Sequence, residues 1–277
     1  MSKIWFVTGA ARGIGAEIVK AALANGDKVV ATGRRIEALE AAFGSGPDVL
    51  PLALDVSDEA AAKRAVDAAL ARFGRIDVLV NNAGYGQLGL FEEIEPADIE
   101  RQFATNVFGL FHVTRAALPA MRRQRSGHIV NLSSMAGVLG FTGATVYCAT
   151  KFAVEGFSES LATEVEDFGI HVTLVEPGFT RTDFLEASSV AYGTRHVADY
   201  DDTSARAQAN FHQYNGQQAG DPVRLAAALV TIAGTNEPPL RLATGSDAVA
   251  GIGGKLDRAR AELDQWRDLS ASVDRAA

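Results

Sequence analysis

Short apolar runs of strand type alternate with longer alanine-rich segments of helical period along nearly the whole chain, and few folds accommodate that alternation. The runs are IWFVT (4–8), KVVAT (28–32), VLPLAL (49–54), DVLVN (77–81), HIVNLS (128–133) and HVTLVE (171–176), with LRLA (240–243) as a shorter seventh. Helical segments cover 14–25, 35–43, 59–73, 96–124 and 144–168. Strands that are apolar throughout must be covered on both faces, and strands separated by helices run parallel. The expected fold is therefore α/β: a single doubly wound Rossmann-type domain, with a seven-stranded, mostly parallel sheet and helices on both faces. It is expected to span 1–245, with 246–277 as a C-terminal helical extension of the same domain.

The alternation breaks at about 183–220, which is polar, flecked with aromatics and without a strand signal. Long irregular segments of this kind commonly serve as lids. Beyond it, DPVRLAAALVTIAG (221–234) reads as a helix with Asp221 as cap and Pro222 at its first position. A final helix is expected from Ser246 or Asp247 as N-cap, with Gly251, Gly253 and Gly254 weakening its first turns.

Composition excludes several classes. With 47% hydrophobic residues the chain can build a sizeable core, and its net charge of -8 disfavours nucleic acid or an anionic membrane as partner. No apolar run reaches the ~18 residues of a membrane span. The single cysteine, Cys148, forbids an intramolecular disulfide and makes the cytoplasm the expected compartment. The five histidines fall into no ligand spacing, so no metal is expected.

TGAARGIG (8–15) follows the first strand and opens the first helix, the context a dinucleotide-binding loop requires. Gly9 permits the tight turn, Gly13 lets backbone approach a pyrophosphate, and Gly15 lets the helix pack close to the sheet. The helix N-terminus supplies free N–H groups and a positive dipole for phosphate. NAD users place a carboxylate at the end of the second strand to hold the ribose 2'-OH. Here that strand ends Thr32-Gly33-Arg34-Arg35, with Arg12 inside the loop itself. Guanidinium groups bind a 2'-phosphate in a fork where a carboxylate would repel it. NADP is thus the expected cofactor, with NAD as the weaker alternative.

In order along the chain, these and further motifs resemble those of the short-chain dehydrogenase/reductase family in its compact single-domain form. TGAARGIG is similar to the family's TGxxxGxG, and the resemblance implies cofactor contacts from Gly9, Arg12, Gly13, Ile14 and Gly15. LDVSD (54–58) resembles the segment whose Asp55 and Val56 contact adenine. NNAG (81–84) matches the stretch that places Asn82, Ala83 and Gly84 along the adenosine ribose. Asn106, in TNVFG, falls where the family keeps an asparagine that distorts a helix and holds a water. YCATK (147–151) is similar to the family's YxxxK, and NLSS (131–134) ends the fifth strand. The family's serine lies thirteen residues before the tyrosine, which selects Ser134 over Ser133. PGFTRT (177–182) is similar to PGxxxT, which implies that Pro177, Gly178, Phe179, Thr180 and Thr182 lie beside the nicotinamide.

The resemblance implies a set of roles for Asn106, Ser134, Tyr147 and Lys151. Reducing a carbonyl by hydride needs a proton for the developing alkoxide, and Tyr147 would supply it. A tyrosine has a pKa near 10, and the ammonium of Lys151, one helical turn on, is expected to pull it toward working pH. Ser134 would hydrogen-bond the same oxygen. Tyr147 and Lys151 would also contact the cofactor, Lys151 at the nicotinamide ribose. Gly84, Tyr85, Met135, 138–141, Phe179, Phe184 and the lid are expected to line a pocket for a medium-sized hydrophobic carbonyl or alcohol. The implied activity is an NADP(H)-dependent ketone or aldehyde reductase, or alcohol dehydrogenase. Alternatives are a non-catalytic dinucleotide-binding redox sensor and a reductase of carrier-bound 3-oxoacyl groups. The thirty or so residues after LRLATG (240–245) depart from the commonest family form, and put its usual tetramer in doubt. A homodimer through the helices at 96–124 and 144–168 is expected instead.

Overall fold

The structure, a computed structural model, describes residues 2–186 and 189–275. The first half of the chain runs β1 (Ile4–Val7), α1 (Gly13–Ala24), β2 (Lys28–Gly33), α2 (Ile36–Phe43), β3 (Val49–Ala53), α3 (Glu59–Phe73), β4 (Val78–Asn81), β5 (Gly86–Leu88), α4 (Pro96–Phe103) and α5 (Gly109–Gln124). It continues with β6 (Gly127–Leu132), α6 (Thr145–Val165), β7 (Ile170–Pro177), β8 (Val190–Tyr192), α7 (Asp201–Tyr214), α8 (Pro222–Ala233), β9 (Arg241–Thr244), α9 (Ser246–Gln265) and α10 (Arg267–Ala271).

Seven strands form one sheet in the order β3-β2-β1-β4-β6-β7-β9, all paired in parallel. Pairing runs from Ile4↔Lys28 to Val7↔Ala31 on one side of β1 and from Trp5↔Val78 to Val7↔Val80 on the other. The strand order reverses beside β1, which opens a crevice over the carboxyl ends of β1 and β4. Trp5 and Val7 enter the core under α1 and α8, with Ile18, Val19, Leu225 and Leu229. Phe6, pointing the other way, enters the core under α3, α5 and α6, with Val66, Val113, Met121 and Leu161. The two-residue alternation of a strand thus feeds two cores at once. Asp58 and Asp221 cap α3 and α8, accepting from the Ala61 N–H at 2.9 Å and the Val223 N–H at 2.8 Å.

The expected sheet is present, including the short seventh strand, but two local expectations are corrected. Residues 96–124 are helical throughout, and the distortion expected at Asn106 is present as a π turn at Ala104–Phe108 between α4 and α5. The buried Asn106 side chain accounts for it. Its Oδ1 accepts from the Tyr85 N–H at 3.1 Å and its Nδ2 donates to the Tyr85 carbonyl at 2.9 Å, and the widened turn turns it inward to reach them.

The first correction concerns 183–220, which is neither irregular nor without a strand. β8 pairs in parallel with β5, from Gly86↔Val190 to Leu88↔Tyr192, and α7 follows. Residues 187 and 188 of that segment lie outside the described residues. The second is the final helix, whose N-cap is Gly245 rather than Ser246 or Asp247. The Asp247 carboxylate instead accepts the Phe179 N–H at 2.8 Å. The glycines at 251, 253 and 254 lie within this helix. A Cβ on Gly251 would lie 3.0 Å from Leu139 Cδ1 and 3.1 Å from Met135 Cε, so the missing side chain is what lets α9 approach. Packing there offsets poor helix propensity.

Candidate active site

At the carboxyl edge of the sheet, the loop after β1 is fastened to the loop after β4. The Thr8 hydroxyl accepts the N–H groups of Asn82 (2.9 Å) and Ala83 (3.0 Å). The Asn82 amide donates back to the carbonyls of Thr8 (2.9 Å) and Gly9 (3.1 Å), so this side chain shapes the loop. Gly9 has φ +64, and a Cβ there would lie 2.9 Å from Ala83 Cα. Gly13, with φ +56, meets only Thr182, at 3.7 Å, which leaves room between the start of α1 and the 177–182 loop. Helix α1 has no acidic residue in its first turn and no side-chain cap on its N–H groups. An anion would therefore find a backbone cradle and a favourable dipole. These features fit a dinucleotide pyrophosphate.

Gly15 is the tightest point of the cradle. A Cβ there would sit 2.5 Å from Asn82 Nδ2 and 2.6 Å from the Gly9 carbonyl oxygen. Neither neighbour is free to move, since one is backbone and the other is the amide that fastens the loop. Gly15→Ala is expected to cost about 1–3 kcal/mol of stability through overpacking and to weaken dinucleotide binding. Thermal unfolding and a dinucleotide titration check it, and an unchanged Tm would contradict it.

Beyond the buried Gly33 at the end of β2, Arg34 and Arg35 are exposed, Arg35 as N-cap of α2. Arg12 is the exposed N-cap of α1. No carboxylate stands at 32–35. Asp55 is exposed, and its Oδ1 accepts from the Ser57 N–H (3.0 Å) and hydroxyl (2.7 Å). Val56 is buried, with its carbonyl held by His112 Nδ1 at 3.0 Å.

Ser134 caps the turn at Met135–Gly137, its hydroxyl accepting the Ala136 N–H at 3.1 Å. The same hydroxyl stands by the Tyr147 phenol and acts to lower its pKa. Ser133 has a different environment: its Oγ lies beneath Gly137, where an added Cβ would meet it at 2.5 Å and Glu155 Oε1 at 3.1 Å. Ser134 is thus the hydroxyl at Tyr147. Lys151, buried one turn beyond Tyr147 on α6, donates to the Leu132 carbonyl at 2.6 Å, with its Nζ 5.7 Å from the Tyr147 ring centroid. Asn106 reaches the same helix, its Nδ2 3.3 Å from Thr150 Oγ1.

Burial dominates the electrostatics. It lowers Lys151 to about 8, against the opposing pull of the Glu155 charge. It also raises Tyr147, outweighing the opposing effect of the Ser134 hydroxyl. The expected depression of the phenol by Lys151 is therefore not a property of the protein alone: the amine is itself desolvated and turned onto the Leu132 carbonyl. Behind Lys151 stands a cluster that sequence reading did not single out. Arg241 Nε lies 3.3 Å from Glu155 Oε2 and 3.7 Å from Glu176 Oε1, and both carboxylates are buried. Burial, then the Glu155 charge, pushes Glu176 up to about 7, with Arg241 opposing. The one available signal was Glu155 four residues after Lys151, which places both on one helix face.

Tyr147 borders a small apolar cluster of Leu88, Ala136, Ala144, Cys148 and Val190, edged by Phe141, Leu185, Tyr192 and Phe211. Phe184 packs on the Tyr147 ring at 5.6 Å between centroids. Of the expected pocket residues, Phe184 therefore packs on the Tyr147 ring and Phe141 edges the same cluster, while Met135 and Leu139 pack against Gly251. Phe179 stacks on Tyr214 (4.4 Å, 8°) and pins the 177–182 loop to the end of α7. Pro177 ends β7, and the Gly178 N–H donates to the Thr244 carbonyl at 2.9 Å. A cleft of about 810 Å³ opens among Thr180, Arg181, Asp221, Arg224, Leu242 and Thr244. Of the expected site residues it shares Thr180 but neither Ser134, Tyr147 nor Lys151, so the chemistry rather than the cleft locates the site.

Comparison with known proteins converges on one family. The short chain dehydrogenase family model matches residues 3–193. The chain is 41% identical over 274 residues to Oxidoreductase BOA17 of Botryotinia fuckeliana (strain B05.10), covering 98% of each chain. It is 36% identical over 258 residues to human Retinol dehydrogenase 8, covering 86% of this chain and 80% of that one. Among solved structures it is similar to a short-chain dehydrogenase from Streptomyces avermitilis, with 42% identity, TM-score 0.89, and 99% and 100% of the two chains covered. It also resembles a serine dehydrogenase complexed with NADP+ (32% identity, TM-score 0.75, 87% and 94% covered). A short-chain dehydrogenase/reductase from Burkholderia phymatum in complex with NAD is similar too (27% identity, TM-score 0.81, 96% and 95% covered).

Proposed function

This chain belongs to the short-chain dehydrogenase/reductase family and is an oxidoreductase that uses a nicotinamide dinucleotide, and on that premise we propose that it interconverts a ketone or aldehyde and an alcohol with NADP(H), Tyr147 acting as general acid and base. One observation carries the reading: Ser134 and Tyr147 side by side, with Lys151 a turn away, at the sheet edge that also holds the α1 cradle and the 177–182 loop. The bound cofactor supplies or accepts hydride. Tyr147 gives its proton to the carbonyl oxygen, Ser134 holds that oxygen by a hydrogen bond, and Lys151 restrains the phenol and binds the nicotinamide ribose. Asn106 keeps the 84–85 backbone and α6 in place beside them.

The absence of a carboxylate at 32–35 and the arginines at 12, 34 and 35 support NADP over NAD. Gly9, Gly13, Ile14 and Gly15 would cradle the pyrophosphate, Asp55 and Val56 the adenine, and Ala83 and Gly84 the adenosine ribose, while 177–182 would lie along the nicotinamide. The apolar surround of Tyr147 and the retinol-named relative support a medium-sized hydrophobic substrate. Residues 183–220, with β8 and α7, would act as its cover. Among the described residues no helix is long and apolar enough to cross a membrane. The exposed rings of Phe108 and Phe152 support a dimer through α5 and α6, and the single cysteine supports a cytoplasmic location. Residues 1–245 would fold as one unit with the 246–277 extension. A carbonyl panel run with NADPH and NADH side by side tests the reading: NADPH consumption with alcohol formation is expected. Tight NADPH binding without consumption across a broad panel would favour a redox sensor instead.

The charge on Lys151 has a consequence for pH. With its pKa lowered to about 8, the ammonium is kept below that pH and lost above it, so carbonyl reduction should fall on the alkaline side of about pH 8. The Glu155 charge is what holds the value up. Glu155→Gln should therefore lower it further and move the alkaline limb of kcat/KM to lower pH. A limb that stays in place, or moves up, would contradict this.

A further inference from the structure

Among the described residues, six of the eleven exposed large apolar side chains lie in the last stretch of the chain: Val249, Leu256, Leu263, Trp266, Leu269 and Val273. From Leu256 onward every described residue of α9 and α10 is exposed. The base of α9 is held differently, by Asp247 on the 177–182 loop and Gly251 on Met135 and Leu139. The helix is thus anchored at one end and projects from the body as an arm. In proteins most helical stability comes from packing an apolar face rather than from propensity.

The face carries a pattern. Val249, Leu256 and Leu263 recur at seven-residue spacing along α9, and so do Ile252, Ala259 and Trp266 at its end, offset by three. Two interleaved seven-residue series form the seam of a helix that packs along another helix, knobs into holes. Charge narrows the partner. Residues 255–275 carry five basic side chains (Lys255, Arg258, Arg260, Arg267, Arg275) and five acidic ones (Asp257, Glu262, Asp264, Asp268, Asp274). A helix that lies on an anionic membrane is rich in Lys and Arg, and this one is balanced. The balance is self-complementary. Lys255 and Glu262 stand one heptad apart on the same flank of the seam. Two copies running antiparallel bring Lys255 of each opposite the partner's Glu262, Leu256 onto the partner's Ala259, and Val249 onto the partner's Trp266.

We propose that α9 and α10 form a dimerisation arm that packs antiparallel on the same arm of a second copy. An isologous contact of this kind closes on itself and needs only one surface patch. Burying the seam residues and their flanks removes on the order of 600–800 Å² per copy, close to the roughly 800 Å² per partner of a standard interface. The contact is separate from the α5–α6 face, and it is independent of the catalytic reading because its readout is mass.

The experiment is sedimentation equilibrium of the full chain. Leu256→Glu and Leu263→Glu, both at exposed positions, should halve the wild-type mass while leaving the circular dichroism spectrum unchanged. Lys255→Glu and Glu262→Lys should each weaken association by placing like charges opposite one another, and the double variant Lys255→Glu/Glu262→Lys should restore it. Variants with wild-type mass, or a double variant no tighter than the singles, would overturn the proposal. So would flotation of the wild type with phosphatidylcholine vesicles that Leu263→Glu abolishes without any change in mass, since the seam would then serve a membrane.

Discussion

Tyr147→Phe should slow carbonyl reduction by about 10²–10⁴-fold, the range that positioned proton transfer contributes, and leave NADPH affinity nearly intact. The change removes one oxygen and keeps the ring, so the packing of Phe184 at 5.6 Å survives. What is lost is the hydroxyl beside Ser134 that α6 holds at the sheet edge. Burial keeps this phenol protonated, which is the form required to donate a proton to a carbonyl oxygen. Nothing within the α1 cradle depends on that hydroxyl, so the cofactor should bind as before. Steady-state kcat on a good carbonyl, paired with an NADPH titration, checks both halves. A kcat near wild type would remove Tyr147 from the mechanism.

Arg34→Ala should collapse the preference for NADPH over NADH, mostly through the KM for cofactor. The two cofactors differ by a 2'-phosphate, which brings up to two negative charges to the end of β2. Exposed arginines stand there, and no carboxylate does. A charge-assisted hydrogen bond contributes about 1.5–3 kcal/mol, which corresponds to roughly 10–150-fold in kcat/KM at ~1.4 kcal/mol per tenfold. Arg35 begins α2 as its N-cap, and Arg34, just past Gly33, is expected to make the main contact, with Arg12 across from it. Gly33→Asp combined with Arg34→Ala should reverse the preference, because a carboxylate then meets the 2'-OH and repels the phosphate. The assignment fails if wild type uses NADH as well as NADPH, or if Arg35→Ala shifts the ratio and Arg34→Ala does not.

The sheet was legible because its central strands β1, β2 and β4 are buried and largely apolar on both faces and bounded by helical segments. Val29, Val30 and Ala31 are fully buried and read as a strand without any partner in view. The two-stranded sheet was not legible, since β5 and β8 have three residues each and no period can be read from three. Helix α7 escaped because Ala207 is its only buried residue. Its inward line of Ser204, Ala207 and Phe211 is a narrow stripe on an otherwise polar helix: Ser204 hydrogen-bonds Glu93, and Ala207 and Phe211 line Gly143.

At the site, the motif residues were visible as residue types at fixed spacings. Their surroundings were not. Arg241 meets Glu155 across 86 positions of chain, and only the pairing of β7 with β9 brings it there. The Lys151 environment also depends on depth: a lysine beside a tyrosine suggests a lowered phenol, whereas burial raises the phenol and lowers the amine together. The role of Asp247 was hidden for a related reason. Its position at a helix start suggested a cap, but the helix begins on Gly245 and leaves the carboxylate to brace Phe179.

The most direct test of the central claim is to follow the hydrogen itself. Wild-type protein is incubated with a hydrophobic ketone and NADPH deuterated on the transferring face of its nicotinamide, and the product is analysed by mass spectrometry. Hydride transfer at a site built on Ser134, Tyr147 and Lys151 predicts one deuterium on the carbinol carbon of the alcohol, formed in step with NADP+, and almost no labelled product from Tyr147→Phe. NADPH that stays bound and undepleted across the ketones tried, or labelled alcohol formed equally fast by Tyr147→Phe, would contradict it.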